Sequence, residues 1–91
     1  MKLITILALA LSFSANAYDC EKLSEYASDV MTKRQKEVSI VEVIKLADSE
    51  VKKRIVIEAY QNPAFLGDKW KNRSVKEFAN DVATDCYAAS M

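Results

Sequence analysis

Two cysteines, Cys20 and Cys86, are the only ones in this 91-residue chain, and they stand near opposite ends of it. Two cysteines allow one pairing, and a bond between them would close a loop of about 67 residues. The chain-entropy treatment values such a loop at roughly 4 kcal/mol. A domain this small has a core that is marginal by itself, so the bond would supply a large share of its net stability. Everything then depends on an oxidising compartment, since thiols stay reduced in the cytosol.

The start of the chain points to export. Met1-Lys2 forms a positive n-region, Leu3 to Phe13 an apolar run, and Ser14-Ala15-Asn16-Ala17 ends in the small-x-small pattern that signal peptidase reads. Cleavage is expected after Ala17. The apolar run rises only about 16 Å as a helix, half of a bilayer's hydrocarbon core, so no stable membrane anchor is expected. Tyr18-Asp19 directly before Cys20 disfavours lipid attachment there. Residues 1–17 thus read as a signal peptide and 18–91 as one disulfide-closed domain, periplasmic or secreted.

Loss of Lys2 leaves twelve basic residues against thirteen acidic ones. That balance gives no electrostatic drive towards nucleic acid, which is not an expected partner. A single glycine and a single proline argue against a turn-rich β fold. The fold class is all-α, a small bundle of about four helices closed by one disulfide.

Asp19 is placed to cap a first helix, running to about Lys36, with Cys20, Leu23, Ala27, Val30 and Met31 on one face. Ser39-Ile40-Val41-Glu42 has the capping-box pattern and opens a second helix through Ile40, Val43, Ile44 and Ala47. Asp48 or Ser49 caps a third, from about Glu50 to Tyr60, in which Glu50 and Arg54 form an i,i+4 pair. Its apolar set, Val51, Ile55, Val56, Ile57, Ala59 and Tyr60, covers most of the circumference, so this helix is central or carries an exposed apolar strip. The run Ile55-Val56-Ile57 also suits a strand, but no second strand candidate exists to pair with it.

Gln61-Asn62-Pro63 ends the third helix. A connector to about Arg73 follows, in which Phe65, Leu66 and Trp70 are expected to plug the open end of the bundle. A second capping-box pattern, Ser74-Val75-Lys76-Glu77, then predicts a last helix with Val75, Phe78, Ala79, Val82 and Cys86 on one face. Both cysteines lie on apolar faces, which predicts that the first and last helices pack side by side and antiparallel.

The inventory argues against catalysis. There is no histidine, both thiols are committed to one bond, and the lone Gly67 excludes glycine-rich phosphate loops. Paired carboxylates are the one acid-base option left, and a thin helical core seldom forms the cleft they need. No catalytic residue, no cofactor and no metal site is expected.

Charge is laid out with more purpose. Glu21, Glu25 and Asp29 recur at i,i+4 on the first helix, and Glu77, Asp81 and Asp85 do so on the last. Like charges at that spacing cost a few tenths of a kcal/mol per pair, roughly, so local helix energetics did not select them. The plain reading is two solvated faces. The functional one is an acidic pole near the disulfide. At the other end Lys33, Arg34 and Lys36 would meet Lys69, Lys71 and Arg73 around Trp70 as a basic pole.

Cys20, Val30-Met31, Arg34-Gln35, Val38-Ser39, Ala59-Tyr60 with Pro63, Phe78 and Cys86 together resemble a group of short exported proteins of bacterial genomes and prophages. The resemblance spans nearly the whole mature length, and its specificity lies in the combination. The group's pattern has glycine where this chain has Glu37. What the resemblance implies is an exported, bacterial or phage-associated protein; the group has no established activity, so no site follows from it. Arg34, Gln35 and Tyr60 are expected either to hydrogen-bond one another at a helix junction or to present Arg34 and Tyr60 as an epitope.

The candidate binding residues are therefore Arg34, Tyr60, Trp70, Glu77, Asp81 and Asp85. The expected role is a non-catalytic module that binds an unknown envelope or extracellular protein, with oligomeric state open. The alternative is a membrane-active or lipid-binding protein that uses the third helix and the basic pole.

Overall fold

The computed structural model describes residues 19–89. The expected leader, residues 1–17, and its cleavage site lie outside them. Four helices make up the described residues: α1 (Cys20–Gln35), α2 (Ile40–Ile44), α3 (Glu50–Tyr60) and α4 (Asp68–Ala89). Among these residues there is no strand, and the Ile55-Val56-Ile57 run is helical.

The first three helices begin where side chains satisfy the orphan backbone donors of a first turn. Asp19 Oδ1 accepts from the Glu21 and Lys22 amides at 3.0 and 3.1 Å. Ser39 Oγ accepts from Val41 and Ser49 Oγ from Lys52, each at 3.2 Å. Of the two cap candidates for α3, Ser49 is the one used. Asp48 instead pairs with Lys52 at 3.1 Å.

Helix α1 is the spine. Its contacts with α4 descend in number as α1 ascends: Cys20 is bonded to Cys86, the Ser24 hydroxyl donates to the Ala79 carbonyl, and Gln35 reaches Ser74. The two helices are therefore antiparallel, as the cysteine positions predict. Helix α3 runs along α1 in the same sense, with Lys52 over the Tyr26 ring and Arg34 on the Asn62 carbonyl. The core between them holds Leu23, Ala27, Val30 and Met31 of α1, Val51, Ile55, Val56 and Ala59 of α3, Phe78 and Val82 of α4, and the disulfide. Val43 and Ala47 close one side from the α2 segment.

Several local expectations are corrected. Helix α2 stops at Ile44, and Leu46 and Ala47 continue it as a tighter turn through i→i+3 bonds to Val43 and Ile44. Ala47 reaches the core all the same. Glu50 pairs with Lys53 at 3.7 Å in place of the predicted i,i+4 partner Arg54.

The larger correction concerns α4, which begins at Asp68, six residues before the predicted cap at Ser74. Its first helical bond runs from the Lys71 amide to the Gly67 carbonyl. Gly67 takes φ +88°, a left-handed turn that a side chain would strain although a Cβ there would meet nothing. Nothing from Asp68 to Arg73 breaks a helix, so the helix propagates from that turn. Ser74 lies buried inside it, and its capping-box spacing to Glu77 is coincidental. The expected plug fails for the same reason: Leu66 is 89% and Trp70 50% exposed, and of the three only Phe65 is partly buried.

Candidate binding surface

Helix α1 ends in a complete Schellman motif. The Glu37 amide donates to the Arg34 carbonyl at 2.9 Å and the Val38 amide to the Lys33 carbonyl at 3.0 Å. This geometry needs a left-handed residue at the position after the cap, and Glu37 holds it at φ +62°. Glycine is the residue that adopts this conformation without steric penalty.

Beside this turn, Gln35 organises the whole junction. It is 3% exposed. Its Nε2 donates to the Pro63 carbonyl at 2.9 Å and lies 3.4 Å from Ser74 Oγ, while its Oε1 accepts from the Phe65 amide at 2.8 Å. Its backbone carbonyl accepts from Lys71 Nζ at 2.7 Å. One side chain thus ties the end of α1 to the 61–67 connector and the first turns of α4. Because every polar atom of the amide is used, the loop is fixed and not merely tethered.

Arg34 and Tyr60 join the same junction but do not bond each other or Gln35 as expected. Arg34 Nε donates to the Asn62 carbonyl at 2.8 Å, with its guanidinium stacked 5.3 Å from the centre of the Tyr60 ring. The Tyr60 hydroxyl donates to the Val38 carbonyl at 2.6 Å. Burial pushes that phenol's pKa up, against the opposing pull of Arg34 and Lys33. Both residues are half-buried and their polar atoms are engaged, so their part is to hold the junction together.

That rigid junction presents Leu66 and Trp70. They stand four residues apart at the head of α4, one almost fully solvated and the other half so. Lys69 Nζ and the Arg73 guanidinium lie 5.8 and 5.7 Å from the Trp70 ring centre, two cations against one ring. Arg73 also bonds Glu77 at 3.0 Å. Of the six residues expected to form a basic pole, only Lys69 and Arg73 lie against Trp70; Lys33 pairs with Asp29, Arg34 stacks on Tyr60 and Lys71 bonds the Gln35 carbonyl. Leu66 escaped the sequence reading because an apolar residue in a connector was assumed to be buried.

Glu77, Asp81 and Asp85 follow along one flank of α4. Glu77 pairs with Arg73 at the surface. Partial burial, and then the Glu77 charge, raises the Asp81 pKa; partial burial, and then the Asp81 charge, raises that of Asp85. Sequence reasoning missed one buried acid, Glu58 on α3, which is 5% exposed. The signal was present: Glu58 follows Val51 and Ile55 at i+7 and i+3, an acid on the apolar stripe.

A cavity of about 530 Å³ beside Tyr26 is a poorer candidate, because two of its lining charges, Asp29 and Lys52, are already paired. Asp29 pairs with Lys33, and Lys52 both pairs with Asp48 and sits over Tyr26. Among the described residues no three acidic or sulfur ligands group to hold a metal ion, and no helix is long and apolar enough to cross a membrane. No protein-family model, curated protein or solved structure matches the chain.

Proposed function

We propose that the chain is a non-catalytic interaction module, exported by its leader into the periplasm or medium of a bacterium, where it binds an envelope or extracellular protein. A phage-related role, such as blocking a competing phage or an envelope enzyme, suits an exported stapled scaffold. The reading is carried by the exposed Leu66–Trp70 pair on a frame fixed at both ends. Solvating two large apolar side chains in so small a molecule forgoes burial worth roughly 1.5–3 kcal/mol each. Aromatic anchors of this kind dominate interfaces. The flanking Lys69 and Arg73 select the partner's chemistry, an apolar cleft with an acidic rim.

The test is a comparison of baits against envelope extract of the source bacterium. Wild-type protein, a Leu66→Ser/Trp70→Ala variant and a Glu77→Lys/Asp81→Lys/Asp85→Lys variant are immobilised separately. The expected result is a specific partner held by the wild type and lost about tenfold or more with the first variant, as for loss of a hot spot. Loss with the second alone would move the surface to the acidic flank. Equal retention by all three refutes the reading. The same exposed Trp with adjacent cations also suits an anionic headgroup layer, and flotation of the oxidised protein with anionic vesicles would favour that second reading.

A further inference from the structure

On the outer side of α4, Lys69, Arg73, Glu77 and Asp81 follow one another at i,i+4, a single ridge of the helix surface. All four are exposed. Their signs run two positive, then two negative. Local energetics disfavour that order: like charges are neighbours at each end of the row, and cations at the head of a helix with acids towards its tail oppose the macrodipole. Arg73 and Glu77 meet in the middle at 3.0 Å. Asp81 pairs with no cation among the described residues.

Bulk is polarised in the same sense. Trp70 lies beside the positive half, with Leu66 just before the helix, and both are exposed. Beside the negative half the exposed positions are small, Thr84 and Ala88. A partner that covers the whole face needs the reverse order, acid and recess against the head, base and bulk against the tail. A uniformly acidic partner would attract Lys69 and Arg73 but be repelled by Glu77 and Asp81. A second copy, turned end for end about a two-fold axis, has the required order by symmetry. With the axis near Glu77, positions 73 and 81 of opposite copies come level, as do positions 70 and 84. The two Glu77 carboxylates then come closest, and each already has its own Arg73 beside it.

We propose that the chain self-associates as an antiparallel dimer through the outer face of α4, with Arg73 of each copy against Asp81 of the other and Trp70 against Thr84 and Ala88. The helix has 22 residues and is about 33 Å long. That length supports an interface at the small end of the specific range, roughly 1,200 Å² in all, so the dimer is concentration-dependent. It also covers Trp70 and its neighbour Leu66. In this respect it rests on the recognition reading above: an envelope partner and a second copy compete for one surface, and self-association regulates access to it.

The experiment uses oxidised protein recovered from the periplasm of an expressing cell. Sedimentation equilibrium is run from about 1 μM to about 500 μM at low and high salt. Trp70 is the only tryptophan, so its emission reports directly on the interface. The variants are Trp70→Ala, Arg73→Asp, Asp81→Arg and the charge swap Arg73→Asp/Asp81→Arg, each checked for native helix content by circular dichroism. The expected result is a wild-type dimer that weakens with salt and whose tryptophan emission shifts to the blue as concentration rises. Each single variant should weaken it about tenfold or more, and the swap should restore it to within about threefold of wild type. A wild type that stays monomeric throughout, a dimer that the single variants leave intact, or a folded swap variant that stays monomeric overturns the proposal. None of these outcomes bears on the bait comparison with envelope extract, whose failure is read separately as equal retention by all baits.

Discussion

Replacing Glu37 by glycine should stabilise the protein. Glu37 occupies the left-handed position of the Schellman turn at φ +62°, is exposed, and joins the turn through its backbone amide. A residue with a Cβ spends about 1–2 kcal/mol to hold that conformation. Glycine avoids the cost but loses roughly 0.5–1 kcal/mol more chain entropy on folding. The difference leaves a net gain of about 0.5–1 kcal/mol, which in a domain of this size raises Tm by about 2–8 °C. Urea unfolding of Glu37→Gly, Glu37→Ala and wild type measures it. Alanine removes the charge and keeps the strained backbone, so Glu37→Ala should match wild type within about 0.5 kcal/mol. A glycine variant no more stable than the alanine one would show that the turn is not strained and that the argument from its dihedral is wrong.

Truncation of Gln35 to alanine should be costly for a core polar residue. It leaves the part-buried Phe65 amide and Pro63 carbonyl without their partner, at about 1 kcal/mol each, the low end of the range for groups left unpaired. The loss is read from the urea midpoint, and limited proteolysis should then cut within the 61–67 connector. A Cys20→Ser/Cys86→Ser variant should lose about 4 kcal/mol through the freed unfolded state, and wild type under reductant should lose the same. A deficit below about 1 kcal/mol would mean that the core of α1, α3 and α4 holds without the bond.

Local chemistry was the legible part of this sequence. Asp19, Ser39 and Ser49 cap where small acceptors precede apolar periodicity, and the cysteines pair as one connectivity demands. Ser74 was misread because Ser-x-x-Glu is as compatible with the middle of a helix as with its start. The deciding feature was Gly67, whose left-handed turn launches α4 earlier than the motif does. The meeting of Arg34, Gln35 and Tyr60 was legible as a junction, but their partners were not. Those are carbonyls and an amide of the connector, which no residue pattern advertises. Glu58 could be seen to lie on an apolar stripe, but its enclosure depends on how the helices pack, a nonlocal outcome.

Large apolar side chains are exposed at several places, Val41, Leu46, Ile57 and Tyr87 among them, but departures from the stability optimum of more than one kind gather at one end. Glu37 holds a turn that favours glycine, Leu66 and Trp70 are solvated, and Lys69 and Arg73 flank the exposed ring, all at the end of the bundle that Gln35 ties together. The far end is held by a covalent bond, and the core between follows ordinary packing rules. A sequence selected for folding alone would have relaxed such departures independently, since stabilising substitutions are easy to find. Departures that share one rigid end point to a constraint acting on that surface.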